Sequence, residues 1–247
     1  MSVVQTVTSK IVINGATLEY SRADPVESNG KVILTLHGGR GFGSKESDFN
    51  VYSQFARYGY TVVSFDYRGH GNSSATPPFS FKQLVNDIEA VKQAFSPREK
   101  VVVIGGSFGG FLAQQYVITY PRSVSHLVLR GTAPSYHHEE ECLSQLMKRL
   151  PKATCASREM VAKVFSSFES DEEFRLTMFA LGPLYVEDYD ADQGLANVLG
   201  TKYSAQSHNE LYSEKEKYFD FRDKLGSVDI PTLIVVGKND WICPLGM

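Results

Sequence analysis

Several things are scarce in this chain, and each scarcity removes a class of function. It has three cysteines (Cys142, Cys155, Cys243) in 247 residues, with no C-x-x-C pair and no even framework. A disulfide scaffold is thereby excluded, and a reducing, cytoplasmic setting is expected. There is no His-Glu-x-x-His and no paired-cysteine spacing, so no metal site is read from the sequence. No apolar run approaches the length of a membrane span. The opening residues, Met1 to Lys10, lack the basic and apolar regions of a secretory signal. Net charge is −3 and the sequence pI about 6.1, which leaves no broad basic face for nucleic acid. Repeats and low-complexity tracts are also missing.

What remains is an ordinary globular composition, 42% hydrophobic and 21% charged, in a chain long enough for one large domain or a domain with an insertion. Lys10–Ile13 and Ala16–Tyr20 flank Asn14-Gly15, a pair that tolerates the positive φ angles of a type I′ hairpin. Apolar strands then alternate with helical patterns: Lys31–Leu36, a helical stretch over 48–58, Tyr60–Phe65, a helix with the stripe Phe81, Leu84, Val85, Ile88, Val91 and Phe95, and Val101–Ile104. Ser80 and Gln83 read as a capping box for that helix, and Phe79 with Leu84 as its hydrophobic staple. A helix over 111–119 and strand His126–Leu129 complete the run, which predicts a mostly parallel α/β sheet.

The rhythm breaks over residues 134–226, which read as helical, with Gly182-Pro183 and Gly200 as interruptions, and a strand returns at 232–236. The expected organisation is a sheet core from 1–133 and 227–247, with 134–226 a helical cap over the strand ends, where open α/β sheets bind ligands. That cap segment holds 17 acidic against 11 basic side chains. A negative lid would favour a substrate with a free amino group, with Glu139, Glu140, Glu141, Glu172 and Glu173 as candidate carboxylates; a solvated helix face is the bland alternative.

Ser107 is the candidate nucleophile. It stands in Gly105-Gly106-Ser107-Phe108-Gly109-Gly110, between an apolar strand and a helix. A serine on so tight a turn is lifted above the sheet, its neighbours must be small, and the following helix directs its positive end at the same point. Asp240, four residues past the returning strand, is the candidate acid, in the required order after the serine. The competing role for Asp240 is a turn aspartate that caps local N–H groups. The backbone N–H groups of Gly39 and Phe108 are the candidate oxyanion hole, with Arg40 the competitor for the first. The loop Gly38–Lys45 only approaches a dinucleotide fingerprint or a P-loop and matches neither, so no nucleotide or other cofactor is expected.

The base is the open position. The six histidines are His37, His70, His126, His137, His138 and His208, and none follows Asp240. His137 and His138 beside three glutamates read as solvent-facing, His126 and His208 as weak candidates, and His37 as a structural turn residue. A helix, a strand and a histidine loop after the acid need roughly 40–50 residues. The expectation is therefore a chain that continues past Met247; the alternative is a ligand-binding protein that keeps the pocket without turnover.

With His37-Gly38-Gly39, Asp66–Ser73, Gly105–Gly110 and Gly237 to Pro244 in place, the chain resembles an α/β-hydrolase. It is most similar to the proline iminopeptidase-like branch. The resemblance implies a cofactor-free serine hydrolase that forms an acyl-enzyme on a small amide or ester, with a short peptide-like substrate and neither nucleic acid nor membrane as partner. In that family residues 66–73 are a structural turn. Two features of the branch have no counterpart here: the tryptophan-rich, glutamate-bearing cap signature, since the single tryptophan is Trp241, and the C-terminal histidine segment. Ser107 separates the chain from branch members that use an aspartate nucleophile.

Overall fold

The computed structural model describes residues Val4–Leu245; Met1–Val3 and Gly246–Met247, assigned above to the core, lie outside the described residues. Seven strands form one sheet in the order β1-β2-β4-β3-β5-β6-β7. β1 (Gln5–Ile13) and β2 (Ala16–Asp24) make the antiparallel hairpin read from Asn14-Gly15, whose φ angles are 47° and 79°. β2 also pairs antiparallel with β4 (Thr61–Phe65). The remaining neighbours, β4, β3 (Val32–Leu36), β5 (Val101–Gly106), β6 (Val124–Arg130) and β7 (Thr232–Val235), run parallel.

The chain winds from β3 outward to β4, then returns past β3 to β5. That reversal opens a crevice at the carboxyl ends of β3 and β5, the place where such sheets bind ligands. α1 (Lys45–Tyr52), continued by a 3₁₀ turn over Ser53–Tyr58, α2 (Phe81–Phe95) and α3 (Phe108–Thr119) connect these strands. One apolar cluster joins Leu34, Leu36, Val63, Phe65 and Val103 to Leu84, Ile88 and Val91 of α2 and to Leu112 and Tyr116 of α3. Ile33, Ala56, Val62 and Ile104 form a smaller cluster on the other face.

α2 starts where the sequence places it. Ser80 Oγ accepts from the Gln83 N–H, and Phe79 and Leu84 are both buried. Only this half of the box is made, because the Gln83 amide turns instead to Asp87 Oδ1 at 2.9 Å. That carboxylate is fixed by a buried pair with Arg68, at 2.6 Å for Nε and 2.9 Å for Nη2.

Between β6 and β7 lie α4 (His138–Arg149), α5 (Arg158–Lys163), α6 (Asp171–Tyr185), α7 (Ala191–Gly200), α8 (Ala205–Leu211), α9 (Glu214–Lys217) and α10 (Arg222–Leu225). Cys142, Leu146, Phe168, Phe174, Leu181 and Ala205 give this segment an apolar cluster of its own, while Leu211, Phe219 and Phe221 reach into the main core. Gly200 ends α7 as expected, but Gly182-Pro183 does not interrupt α6, which runs to Tyr185. The proline forfeits one N–H donor and α6 ends two residues later, and the bare Cα of Gly182 accommodates the Tyr189 ring. The strand pattern expected to be missing from this stretch is reduced to single bridges, Phe42 to Tyr203 and Ser135 to Asp220.

β7 is exposed along its length, with Leu233 at 58% and Ile234 at 69%. None of the described helices is long and apolar enough to cross a membrane.

Candidate active site

β5 delivers Ser107 to the crevice and α3 begins directly after it. The backbone at Ser107 has φ 51° and ψ −121°, a left-handed conformation that favours glycine. Three hydrogen bonds hold the serine there: its N–H donates to the Arg130 and Gly131 carbonyls at 3.0 and 3.1 Å, and its own carbonyl accepts from Thr132 Oγ1 at 2.8 Å. The result is an exposed serine between buried Gly106 and Phe108.

The glycines around it are required by contact. A Cβ on Gly105 would lie 2.5 Å from the Gly109 carbonyl oxygen, and one on Gly109 would enter the Leu36 carbonyl. A Cβ on Gly106 would strike the Arg130 guanidinium, and one on Gly110 the Thr132 side chain. Gly38 faces the serine itself, since a Cβ there would stand 3.2 Å from Ser107 Cβ.

Ser107 and Asp240 line the same cleft, of about 890 Å³, together with Gly38, Gly39, Arg130 and Trp241. Asp240 Oδ1 accepts from the Ile242 and Cys243 N–H groups, each at 2.9 Å, and the Asp240 N–H donates to the Gly237 carbonyl at 3.0 Å. These bonds are those of the turn-capping reading. One oxygen caps the turn and fixes the carboxylate, and Oδ2 makes no hydrogen bond among the described residues.

Gly39, at φ 94°, also lines the cleft, whereas Arg40 does not. Among the described residues neither the Gly39 nor the Phe108 N–H has an acceptor, which leaves two donors beside the serine. The Phe108 ring is turned away into the core, packing edge-on to Tyr67, Phe81 and Phe111. Only its backbone is available to the site.

None of the histidines is hydrogen-bonded to Ser107 or Asp240 among the described residues. His37 is stacked on Tyr67, with Nδ1 2.8 Å from the Gly38 carbonyl, and burial lowers its pKa to about 4. His70 Nε2 accepts the Gly41 N–H at 2.8 Å, which assigns the proton to Nδ1 facing the Arg68 carbonyl. Burial holds its pKa near 3. His126 lies early in β6, paired with Val102 near the start of β5 and away from Ser107.

Two expectations need correction, those for His138 and for Glu139. His138 is buried rather than solvent-facing, covered by Phe111 and Phe219, with Nδ1 2.8 Å from the Ser135 carbonyl. His208, a weak candidate for the base from sequence, is 1% exposed and donates from Nδ1 to the Arg40 carbonyl at 3.0 Å. Of the five candidate glutamates, Glu139 is turned inward, burial raising its pKa while Arg40 opposes the rise. Glu140 and Glu141 are exposed, Glu172 pairs with Arg175, and Glu173 with Lys163.

Residues 66–74 form a braced turn without an evident catalytic role. Asp66 accepts from the Lys45 and Asn72 N–H groups at 2.7 and 2.8 Å, and the Lys45 ammonium reaches Glu19 at 2.7 Å.

A sheet with its switch-point crevice, a serine raised at a left-handed turn and an aspartate in the same cleft define a hydrolase of the α/β type. The chain belongs to the α/β hydrolase fold family, whose model matches residues 31–247. Within that family it falls in the proline iminopeptidase-like branch. It is 50% identical over 236 residues to the proline iminopeptidase PfmaB of Pestalotiopsis fici, covering 95% of this chain and 83% of the relative. A proline iminopeptidase of Thermoplasma volcanium is 24% identical, with 90% and 77% covered. Among solved structures, an esterase from Exiguobacterium antarcticum superposes with a TM-score of 0.69 at 21% identity, covering 97% of this chain and 84% of the other. The proline iminopeptidase of Mycobacterium smegmatis gives 0.69 at 18%, covering 95% and 83%. The chain is thus a hydrolase by family, and these structures share its fold.

Proposed function

We propose that Ser107 is the nucleophile of acyl transfer to water. Its oxygen attacks the acyl carbon of a small amide or ester while a base takes its proton. The oxyanion of the tetrahedral intermediate is held by the Gly39 and Phe108 N–H groups. The leaving amine or alcohol departs with a proton, and water then cleaves the acyl-enzyme. Asp240 orients the base, its carboxylate being fixed by the turn that it caps. In the family's chain order the base is a histidine after this acid; none of the six in the sequence follows Asp240, so none receives the role. The observation that carries the reading is the Ser107 backbone, strained at φ 51° yet held so by its neighbours. Strain of this kind is kept where function depends on it.

For the substrate, the named relatives support an N-terminal amide of a short peptide-like molecule. The helical segment α4–α10, which we read as the cap, holds an acidic excess. Inside it the charge is largely cancelled, because Glu139 faces Arg40. A pocket that accepts small apolar acyl groups, with a free amine as a secondary preference, accounts for both.

The test uses the protein expressed from its full native reading frame. A fluorophosphonate probe is expected to label one serine, mapped to Ser107, and Ser107→Ala to abolish labelling and turnover while the fold persists. Labelling at another serine refutes the assignment. Amino-acyl arylamides should be cleaved better than their N-acetylated forms, by a margin that shrinks in high salt; equal cleavage refutes amine recognition.

A further inference from the structure

The loop after β3 has an unusual makeup. From Gly38 to Gly43 only Arg40 and Phe42 carry side chains, and both end in the cap. The Phe42 ring packs on Phe174 and Tyr203 at 5.6 and 5.8 Å, and its backbone bridges Tyr203. The Arg40 guanidinium is 4% exposed and sits in a box of rings: Tyr212 and Phe219 from the cap at 4.2 and 5.4 Å, Phe81, Phe108 and Phe111 from the core at 5.3–5.7 Å. Its nearest carboxylate is Glu139 of α4, with Nη1 to Oε1 at 3.9 Å. None of its three nitrogens has a hydrogen-bond partner among the described residues.

The loop backbone is fastened from the same direction. The Arg40 carbonyl accepts from His208 Nδ1 at 3.0 Å, and the Gly41 carbonyl from the Ser204 N–H at 2.7 Å. The two are so close that a Cβ on Gly41 would lie 2.6 Å from His208 Cβ. From the core side the supports are the Gly41 N–H on His70 and, one residue before the glycines, the Tyr67 hydroxyl on the His37 carbonyl at 2.9 Å.

Glycines on either side, Gly39 at φ 94° and Gly41 at φ 76°, hold conformations that a side chain would strain. The Gly39 N–H stands one residue before Arg40, whose carbonyl and side chain are gripped by the cap. We propose that Arg40 is a positioning residue that couples the cap to the oxyanion hole. The seat of α4 and α8 on the Arg40 side chain and carbonyl then sets the direction of the Gly39 N–H. The inference rests on the oxyanion role proposed above for Gly39. An apolar residue could fill the ring box, but a buried cation there has its nearest counter-charge in Glu139 of α4. The donor is thus aligned when the cap is seated.

The experiment follows two probes on the protein from its full native reading frame: acylation of Ser107 by a fluorophosphonate, whose phosphoryl oxygen needs the same donors, and hydrolysis of p-nitrophenyl acetate. Arg40→Met keeps the volume in the ring box and removes the charge. It is expected to slow acylation and lower kcat by roughly 10- to 100-fold, below the loss seen on deleting an oxyanion donor outright, with KM changed less than about threefold. Arg40→Lys should recover part of the loss. Glu139→Gln should lower kcat in the same direction, and the double variant should be no worse than the poorer single one. A folded Arg40→Met protein acylated within twofold of the wild-type rate, or one whose defect lies in KM alone, overturns the proposal. If Arg40→Met does not fold, His208→Leu should show the same kcat loss and His208→Gln, which can still donate to the Arg40 carbonyl, should restore it; equal rates in the two refute the coupling. Failure of the wild-type protein to label at Ser107 overturns the nucleophile reading and this inference together, and is distinguishable from failure of the variants alone.

Discussion

At Ser107 the backbone does something that the side chain cannot favour. A non-glycine residue at φ 51° and ψ −121° stores about 1–3 kcal/mol, and glycine, which is free of the clash, loses about 0.5–1 kcal/mol in chain entropy. Ser107→Gly is therefore expected to be more stable than Ser107→Ala by about 1 kcal/mol in urea unfolding, since alanine keeps the Cβ that causes the strain. Equal stability of the two variants would show the turn to be relaxed. This residue was legible in the sequence because its signal is local: two glycines on each side, a strand before and a helix after. Asp240 was legible for the same reason, and its capping bonds span only two and three residues. Arg40, Glu139 and His208 were not. The His208 to Arg40 bond joins positions 168 apart, and no periodicity announces such a partner. The burial of His138 was hidden in a similar way, since its neighbours in sequence are glutamates while its cover comes from Phe111 and Phe219.

Among the elements, α2 is tied to the rest of the fold through a buried ion pair. Asp87 on its buried face accepts from Arg68 twice, from Gln83 and from Asn14 of the β1–β2 turn. Arg68 and Asp87 are each 1% exposed. Removing one partner of a buried pair leaves the other charge without compensation, so Asp87→Ala is expected to lose about 3–5 kcal/mol in urea unfolding. A loss below 1 kcal/mol would mean that water replaces the carboxylate. The element order over residues 10–130 followed from hydrophobic period and turn chemistry, because α2 buries one stripe, α3 is buried nearly all round, and β3 and β5 are buried on both faces. Where the reading failed, the local signal was real but outweighed. Proline and glycine at 182–183 mark a break in isolation, yet one lost bond in a last turn is offset by packing of α6 against the second apolar cluster. The half-made capping box at Ser80 is another instance, with Gln83 drawn away by Asp87.

For the molecule as a whole, the neutral histidines in its interior decide the response to acid. His37, His138 and His208 are held to a pKa of about 4, and His70 to about 3, in each case chiefly by burial. An unfolded histidine titrates near 6.5. Between these values the unfolded chain binds more protons than the folded one, so stability rises with pH: it is complete above about 6.5 and is lost as pH falls through the window down to about 4. Each such histidine contributes a slope of about 1.4 kcal/mol per pH unit in mid-window. Asp48, Asp66 and Glu139 act oppositely, because burial raises their pKa and the folded state then gains protons as pH falls. The window of the four histidines opens at their unfolded value near 6.5, so their loss of stability begins there. The expected outcome is a Tm that declines steadily from pH 7 to pH 5 at constant ionic strength. His138→Gln should flatten the decline by one histidine's share, since an uncharged amide can keep a bond to the Ser135 carbonyl without titrating. A Tm that stays level over that range, or a His138→Gln protein with the wild-type slope, would show that these imidazoles reach water before the fold opens.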